Sequence, residues 1–175
     1  TGVQTCALPI WRLEKLKNYE NLIKAIENMV KRDTNVKYII FGQGYLEEKL
    51  NNYIQSNNLT NNILLLGLVP NAYNYYKYFN YFVIGSFHEG YPNSLIEAMD
   101  NGLVSLGTDC GDTFFILDQN RGVKIEGYGY KEIENTILNQ FRQKDLNKNI
   151  SNKAEIYIKK ELSDEVIFEK WKNIL

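Results

Sequence analysis

The chain has 175 residues, 44% of them hydrophobic, which is enough for one ordinary core and unlike a disordered or fibrous chain. Twenty basic residues against twenty-one acidic ones leave a formal charge of −1, so no electrostatic footprint for DNA or RNA exists and no nucleic-acid partner is expected. The longest apolar runs, "NILLLGLV" and "YFVIGS" among them, fall far short of the ~20 residues that span a bilayer. The cysteines Cys6 and Cys110 have no neighbour at metal-ligand spacing and His88 is the sole histidine, so no metal site is expected. So few thiols fit a reducing cytoplasm better than an export route.

The opening "TGVQTCALPI" resembles the translation of a sequencing-adapter oligonucleotide more than any targeting signal. Residues 1–11 are therefore expected to be non-native and are left out of fold reasoning, with one domain over 12–175. From there, "NLIKAIENMVKR" places Leu22, Ile23, Ile26, Met29 and Val30 on one helical face, and "NVKYIIFG" reads as a short buried strand closed by Gly42. The stretch "YLEEKLNNYIQSNN" repeats the helical spacing with Leu46, Leu50, Tyr53 and Ile54, and "NNILLLG" follows as a second strand. A short helix in "NAYNYYKYF" leads to a third strand, "YFVIGS", and then to the helix "PNSLIEAMDNG", opened by Pro92 and closed by Gly102. Next come the strand "LVSLGT", a helix around "DTFFILD", a weaker strand "GVKIE", and two terminal helices over 129–143 and 150–174. In the last of these, Val166, Ile167, Trp171, Ile174 and Leu175 share a face expected to pack on the core. Strands alternating with helices of this length predict a doubly wound, Rossmann-like α/β fold with a parallel sheet.

In such sheets ligands bind beyond the carboxyl ends of the strands, where helix N-termini point unpaired N–H groups. The stretch "HEGYPNSLIEAMDNG" falls at such a place, and it carries Glu89 in the turn and Glu97 in the second helical turn, about 7 Å further along the axis at ~1.5 Å per residue. The backbone N–H groups of Tyr91, Asn93 and Ser94 are the expected donors for a phosphate or a sugar hydroxyl. Carboxylates accept from hydroxyls and amides donate to a diphosphate, so the order of groups matches a nucleotide-diphosphate sugar from ribose to hexose. Gly42 and Gly44 in "FGQGYLE" imitate a dinucleotide fingerprint, but Glu47 stands where its third glycine belongs, and a strand-to-helix turn explains them equally well. His88 reads as a loop residue that shapes the site, and Cys110 as a buried small hydrophobe.

With these motifs in hand, "EGYPNSLIEAM" resembles the Glu-x7-Glu motif of the retaining glycosyltransferases of the GT-B fold. "RLEKLKNYENLIKAI", "YIIFGQGYLEEKL", "ILLLGLV" and "YFVIGSFHEGYP" follow the order of that family's C-terminal, donor-binding domain over roughly residues 12 to 125. The resemblance implies a hexosyltransferase that takes a nucleotide-diphosphate sugar, without a metal or other cofactor, and passes the hexose with retention to a glycan or lipid-linked acceptor. Glu89 matches the glutamate that contacts the hexose and is the expected catalytic residue. Glu97 matches the one that holds the ribose hydroxyls, Arg12 and Lys17 match the basic pair on the diphosphate, and Gly90, Tyr91, Asn93 and Ser94 match the backbone cradle. The base is expected near "LLGLV". Same-face attack, with the acceptor hydroxyl bonded to the leaving phosphate, demands no protein nucleophile.

The chain also departs from that pattern. In "NGLVSLGTDCGDTFFIL", Val104 replaces a proline, Asp112 a second glycine, and Phe115 stands where an acid is usual. The family's first, central strand and its whole acceptor-binding domain are expected upstream of Arg12, so this fragment is expected to be inactive alone, and "ALPIW" in the strand position should pair poorly. The implied setting is bacterial surface polysaccharide synthesis in the cytoplasm, at the inner face of the plasma membrane with peripheral association. Alternatives are a degenerate, non-catalytic nucleotide-sugar binding module, or a sugar-nucleotide epimerase of the same fold, against which the lone histidine argues.

Overall fold

A strand buried on both faces shows no polar alternation, and Tyr81–Ile84 is one: Tyr81 and Val83 join the apolar cluster on one side of the sheet, Phe82 and Ile84 the cluster on the other. The computed structural model describes residues 4–7, 11–32 and 35–173. Its strands are β1 (Gln4–Ala7), β2 (Trp11–Arg12), β3 (Val36–Ile40), β4 (Gly42–Gln43), β5 (Ile63–Leu65), β6 (Tyr81–Ile84), β7 (Val104–Thr108) and β8 (Val123–Ile125). Its helices are α1 (Tyr19–Arg32), α2 (Glu47–Ser56), α3 (Asn93–Asp100), α4 (Thr113–Leu117), α5 (Tyr130–Phe141), α6 (Lys144–Tyr157) and α7 (Asp164–Lys172), with 3₁₀ turns at Lys15–Lys17 and Ala72–Tyr78. Six strands form one sheet in the order β5-β3-β1-β6-β7-β8, with every neighbouring pair parallel. The chain is wound outward in both directions from β1, as the alternation of elements predicts.

Helices α1 and α5 cover one face through Leu22, Ile23, Ile26, Ile133 and Ile137, all buried. Helices α3, α4 and α6 cover the other through Leu95, Met99, Ile116 and Ala154. Each such aliphatic side chain contributes about 1.5–3 kcal/mol on burial. Among the described residues no helix is long and apolar enough to cross a membrane.

Three sequence expectations change. The segment set aside supplies the central strand: Gln4 to Ala7 pair with Val36 to Ile39 on one side, and Cys6 and Ala7 pair with Tyr81 and Phe82 on the other. Parallel pairing uses backbone groups alone, so a short stretch with a small buried residue, Cys6, satisfies it. Of "ALPIW", expected to pair poorly, residues 8–10 lie outside the described residues; the buried hydroxyls of Tyr19 and Tyr38, which share the core cluster with Cys6, have no hydrogen-bond partner among the described residues. The last predicted helix begins earlier, at Lys144, passes through a π-helical stretch at Ile158–Leu162, and breaks at Ser163. The extended Ser163 (ψ 154) caps α7 by accepting from the Val166 N–H at 3.4 Å, with Asp164 and Glu165 in the first turn, where the helix dipole favours carboxylates. Helix α7 buries no residue, and Ile167, Phe168 and Trp171 are exposed, so the packing face is uncovered among the described residues; Ile174 and Leu175 lie outside them.

One buried carboxylate ties α1 to α2. Glu27 accepts from Lys24 at 2.8 Å, from Lys31 at 2.7 Å and from the Tyr53 hydroxyl at 2.6 Å. Burial works to raise its pKa, but these three donors outweigh burial and hold it down to about 2, against an ordinary 4.5. Its stabilising contribution is therefore complete at neutral pH and disappears as the pH falls from 4.5 through about 2. Glu27→Gln is expected to lower the unfolding free energy by about 2 kcal/mol at pH 7. The gap from the parent should narrow in urea titrations run at successively lower pH; a gap independent of pH would assign the loss to packing instead of charge.

Candidate functional site

All six strands of the sheet run the same way, so the loops that leave β1, β6 and β7 emerge on one edge. There they are stitched to one another. The turn at Lys15–Lys17 ends on Asn18, whose left-handed conformation (φ 59) reverses the chain into α1. Asparagine tolerates that region because its short amide bonds locally, and here Asn18 Oδ1 accepts from the side-chain amide of Asn21 at 2.7 Å. Its own amide donates to the Gly85 carbonyl at 2.9 Å and to the Tyr128 carbonyl at 2.8 Å. The Phe87 N–H donates to Leu16 O at 2.8 Å, the Phe87 ring packs on Tyr128 at 5.3 Å between centroids, and the Tyr128 hydroxyl donates to Asp109 O.

On this frame Lys17 reaches Glu89. Its ammonium lies 2.8 Å from Oε1 and 2.7 Å from Oε2, and the Ser86 hydroxyl donates to Oε1 at 2.6 Å. The pair is sheltered, with the side chains of Lys17 and Glu89 only 21% and 13% exposed. Ser86 is itself buried, and its carbonyl accepts from the Thr108 hydroxyl at 2.7 Å. Behind the pair passes Gly111, at φ 51, where a Cβ would collide with the carbonyl oxygens of Glu89 and Gly90; only glycine suits that position.

Two clefts open beside this pair. The first, about 400 Å³, has walls of mixed polar and apolar character and is bounded by Arg12, Lys17, Glu89 and the chain from Gly90 to Ser94 at the start of α3. The second, about 600 Å³, has mostly apolar walls from Leu68 to Tyr73, with Gln43 and Glu97 at its polar side. Arg12 borders both. It projects from β2, which pairs with β4, and its side chain is 79% exposed with a loose 3.7 Å ion pair to Glu14. Glu97, the fifth residue of α3, is half-buried, and this burial raises its carboxyl above the usual glutamate range.

The residues singled out from the sequence thus gather into two adjoining spaces: Arg12, Lys17, Glu89, Gly90, Tyr91, Asn93 and Ser94 around the first, Glu97 on the second. His88 stands exposed at the rim of the first. One expectation about backbone donors is corrected. Pro92 occupies the N-cap (φ −80, ψ 79), not the first helical turn, and the tight bend there lets the Asn93 N–H donate to Tyr91 O at 3.0 Å. The N–H groups of Tyr91 and Ser94 have no acceptor among the described residues. Gly42 and Gly44 serve the chain path: Gly42 (φ 137) donates to Gly67 O at 2.7 Å, and a Cβ on Gly44 would lie 2.6 Å from the backbone nitrogen of Leu13. Cys110 is buried, its sulfur 3.3 Å from the Thr113 hydroxyl, and burial pushes its thiol pKa up. Of the departing residues, Val104 is buried in β7, Asp112 precedes α4, and Phe115 is exposed.

Sequence reasoning missed Asn18, Ser86, Gly111 and Tyr128. Ser86, three residues before Glu89, was the one within reach of a local motif; the others act across 67 or more residues or through a backbone conformation.

A sequence profile described as "Glycosyl transferases group 1" matches residues 4–157. The chain is 31% identical over 167 residues to the poly(ribitol-phosphate) alpha-N-acetylglucosaminyltransferase of Staphylococcus aureus, covering 94% of this chain and 34% of that enzyme. It is similar to the crystal structure of an S. aureus TarM variant in complex with fondaparinux, alpha-GlcNAc-glycerol and UDP, with a TM-score of 0.83, 29% identity, and coverage of 98% of this chain and 35% of that one. The crystal structure of the C-terminal domain of a Francisella tularensis glycosyl transferase group 1 family protein has the same fold, with a TM-score of 0.83 at 16% identity over 93% of this chain and 88% of that one. The chain spans about a third of the S. aureus relative's length. Its sheet is the Rossmann-like C-terminal half of a GT-B fold, and the chain belongs to the glycosyl transferases group 1 family.

Proposed function

We propose that the chain is the donor-binding half of a retaining hexosyltransferase, and that its two clefts hold one nucleotide-diphosphate sugar. The observation that carries this reading is Arg12, which borders both a mixed cleft containing the charged pair Lys17 and Glu89 and an apolar cleft containing Glu97. The base and ribose fit the apolar cleft, with Glu97 accepting from ribose hydroxyls. The diphosphate fits the junction, against Arg12, Lys17 and the free N–H groups of Tyr91 and Ser94. The hexose then falls beside Glu89. The UDP bound in the TarM complex supports a uridine nucleotide as the first candidate.

In the proposed reaction the bond between hexose C1 and the diphosphate oxygen breaks as a bond from an acceptor hydroxyl oxygen to C1 forms on the same face. The acceptor proton passes to the departing phosphate oxygen, so no protein nucleophile enters, and in this reading Arg12 and Lys17 stand in place of a metal. Cations near the leaving group stabilise its growing charge. Glu89, held by Lys17 and Ser86, suits a fixed acceptor for hexose hydroxyls better than a group that swings in to attack. The acceptor, a glycan or lipid-linked molecule, would be bound by a part of the enzyme beyond this chain. A cytoplasmic enzyme at the inner membrane face, in surface polysaccharide synthesis, accords with this reading.

Calorimetric titration of uridine and guanosine diphosphates tests it. Glu97→Gln is expected to weaken the bound nucleotide at least tenfold, about 1.4 kcal/mol, by removing a charged acceptor. Because the raised pKa marks the ionised form as the costly one, stability of the ligand-free protein is greatest with Glu97 protonated and is lost as the pH rises through the shifted value. Glu97→Gln should therefore leave the melting temperature at pH 7 unchanged or higher, and parental affinity should fall on acidification before ordinary glutamates titrate. A fall in melting temperature equal to a core defect would count against this role.

Arg12→Ala, at an exposed side chain, is expected to leave stability alone and to weaken diphosphates by roughly tenfold without changing the affinity for uridine or guanosine. Equal loss for nucleoside and diphosphate would remove Arg12 from the junction.

A further inference from the structure

The cation proposed for the diphosphate is already engaged. Lys17 has three ammonium protons, and its nitrogen lies 2.8 and 2.7 Å from the two oxygens of Glu89, with both side chains mostly buried at the wall of the cleft. A sheltered pair of this kind interacts more strongly than a surface one, since neither water nor salt screens it well. Any diphosphate that recruits Lys17 must draw it away from Glu89, or share it with a carboxylate of its own sign.

The consequence differs for two ligands. On the donor-site reading, when the terminal phosphate carries a hexose, the sugar hydroxyls would stand where Lys17 was and donate to the Glu89 oxygens, so the carboxylate would regain the hydrogen bonds it loses. A bare diphosphate brings no donor. Its free terminal phosphate also carries more charge than the ester, because its second ionisation lies near pH ~6. Glu89 is then left with the Ser86 hydroxyl alone, facing a second anion.

From the Lys17–Glu89–Ser86 geometry we infer that Glu89 discriminates against the bare nucleoside diphosphate by competing with it for Lys17. The carboxylate thus does more than hold the hexose: it makes the site bind the nucleotide that remains once the hexose has gone less tightly than the sugar nucleotide. Ser86 is the positioning residue, fixing Oε1 so that Glu89 cannot turn away from an incoming phosphate. The inference rests on the donor-site reading above and adds a sign to it, since loss of a site residue is predicted to tighten one ligand.

The test is titration of the chain and its variants with uridine diphosphate and UDP-N-acetylglucosamine, with guanosine diphosphate and GDP-mannose in parallel. Glu89→Gln is expected to tighten the bare diphosphate by about tenfold while weakening the sugar nucleotide, inverting the parental preference. Lys17→Met should weaken both ligands. In the Lys17→Met, Glu89→Gln double variant the gain from Glu89→Gln should shrink, because the effect runs through Lys17. Ser86→Ala should narrow the preference and Ser86→Thr, which keeps the hydroxyl, restore it. Melting curves of each variant identify any that do not fold, and the Lys17→Met background then supplies the comparison. If the parent binds nucleotides but Glu89→Gln leaves the bare diphosphate unchanged or weaker, the competition is overturned and the donor site stands. A folded parent that binds none of the four ligands overturns both.

Discussion

The amide of Asn18 donates one hydrogen bond to the loop after β6 and another to the loop before α5, across 67 and 110 residues of sequence. These two bonds bring three crossovers to a common point, and the side chain that makes them is buried. The left-handed backbone at Asn18 aims Lys17, its neighbour, into the cleft, while the bond to Gly85 sets where β6 ends and the Glu89 turn begins. Were the loops anchored only at their strands, Lys17 and Glu89 would each hang on a flexible turn. The contact between them is therefore a property of the frame.

Around that frame the site alternates charge. Arg12 and Lys17 face Glu89 and Glu97 across two clefts, and the start of α3 adds oriented N–H groups between the carboxylates. Each member is held at a different cost. The Lys17–Glu89 pair is neutralised internally, whereas Glu97 is driven toward protonation by burial and has no ion-pair partner among the described residues. A half-buried carboxylate raised by burial costs stability when ionised, and groups perturbed in this way gather at functional sites. Glu27 has the opposite character: it is buried, but three donors surround it, and it serves the join between α1 and α2.

Much of this was legible from residue order. The helical periods of α1, α2 and α5 appear as predicted because their apolar positions recur at three- and four-residue steps, and the parallel sheet follows from the alternation of such helices with short apolar runs. The break at Ser163 was not read from the sequence, because the apolar period on either side of it reads as one continuous helix. For β1 the sequence misled in another way. Its four residues carry little side-chain signal, yet the parallel ladder recruits their backbone groups between β3 and β6.

Sequence by itself determined the doubly wound α/β fold, the helix that starts near Pro92 with Glu97 in its second turn, and the family that "EGYPNSLIEAM" represents, because these depend on the order of elements and on spacing within each segment. Only the tertiary structure decided that Lys17 is held by Glu89, that Ser86 and Asn18 govern that hold, and that Arg12 joins two clefts. Those facts depend on where separate crossovers end relative to one another, and that is set by the packing of α1 against the sheet and by hydrogen bonds between distant loops. No local pattern encodes such distances.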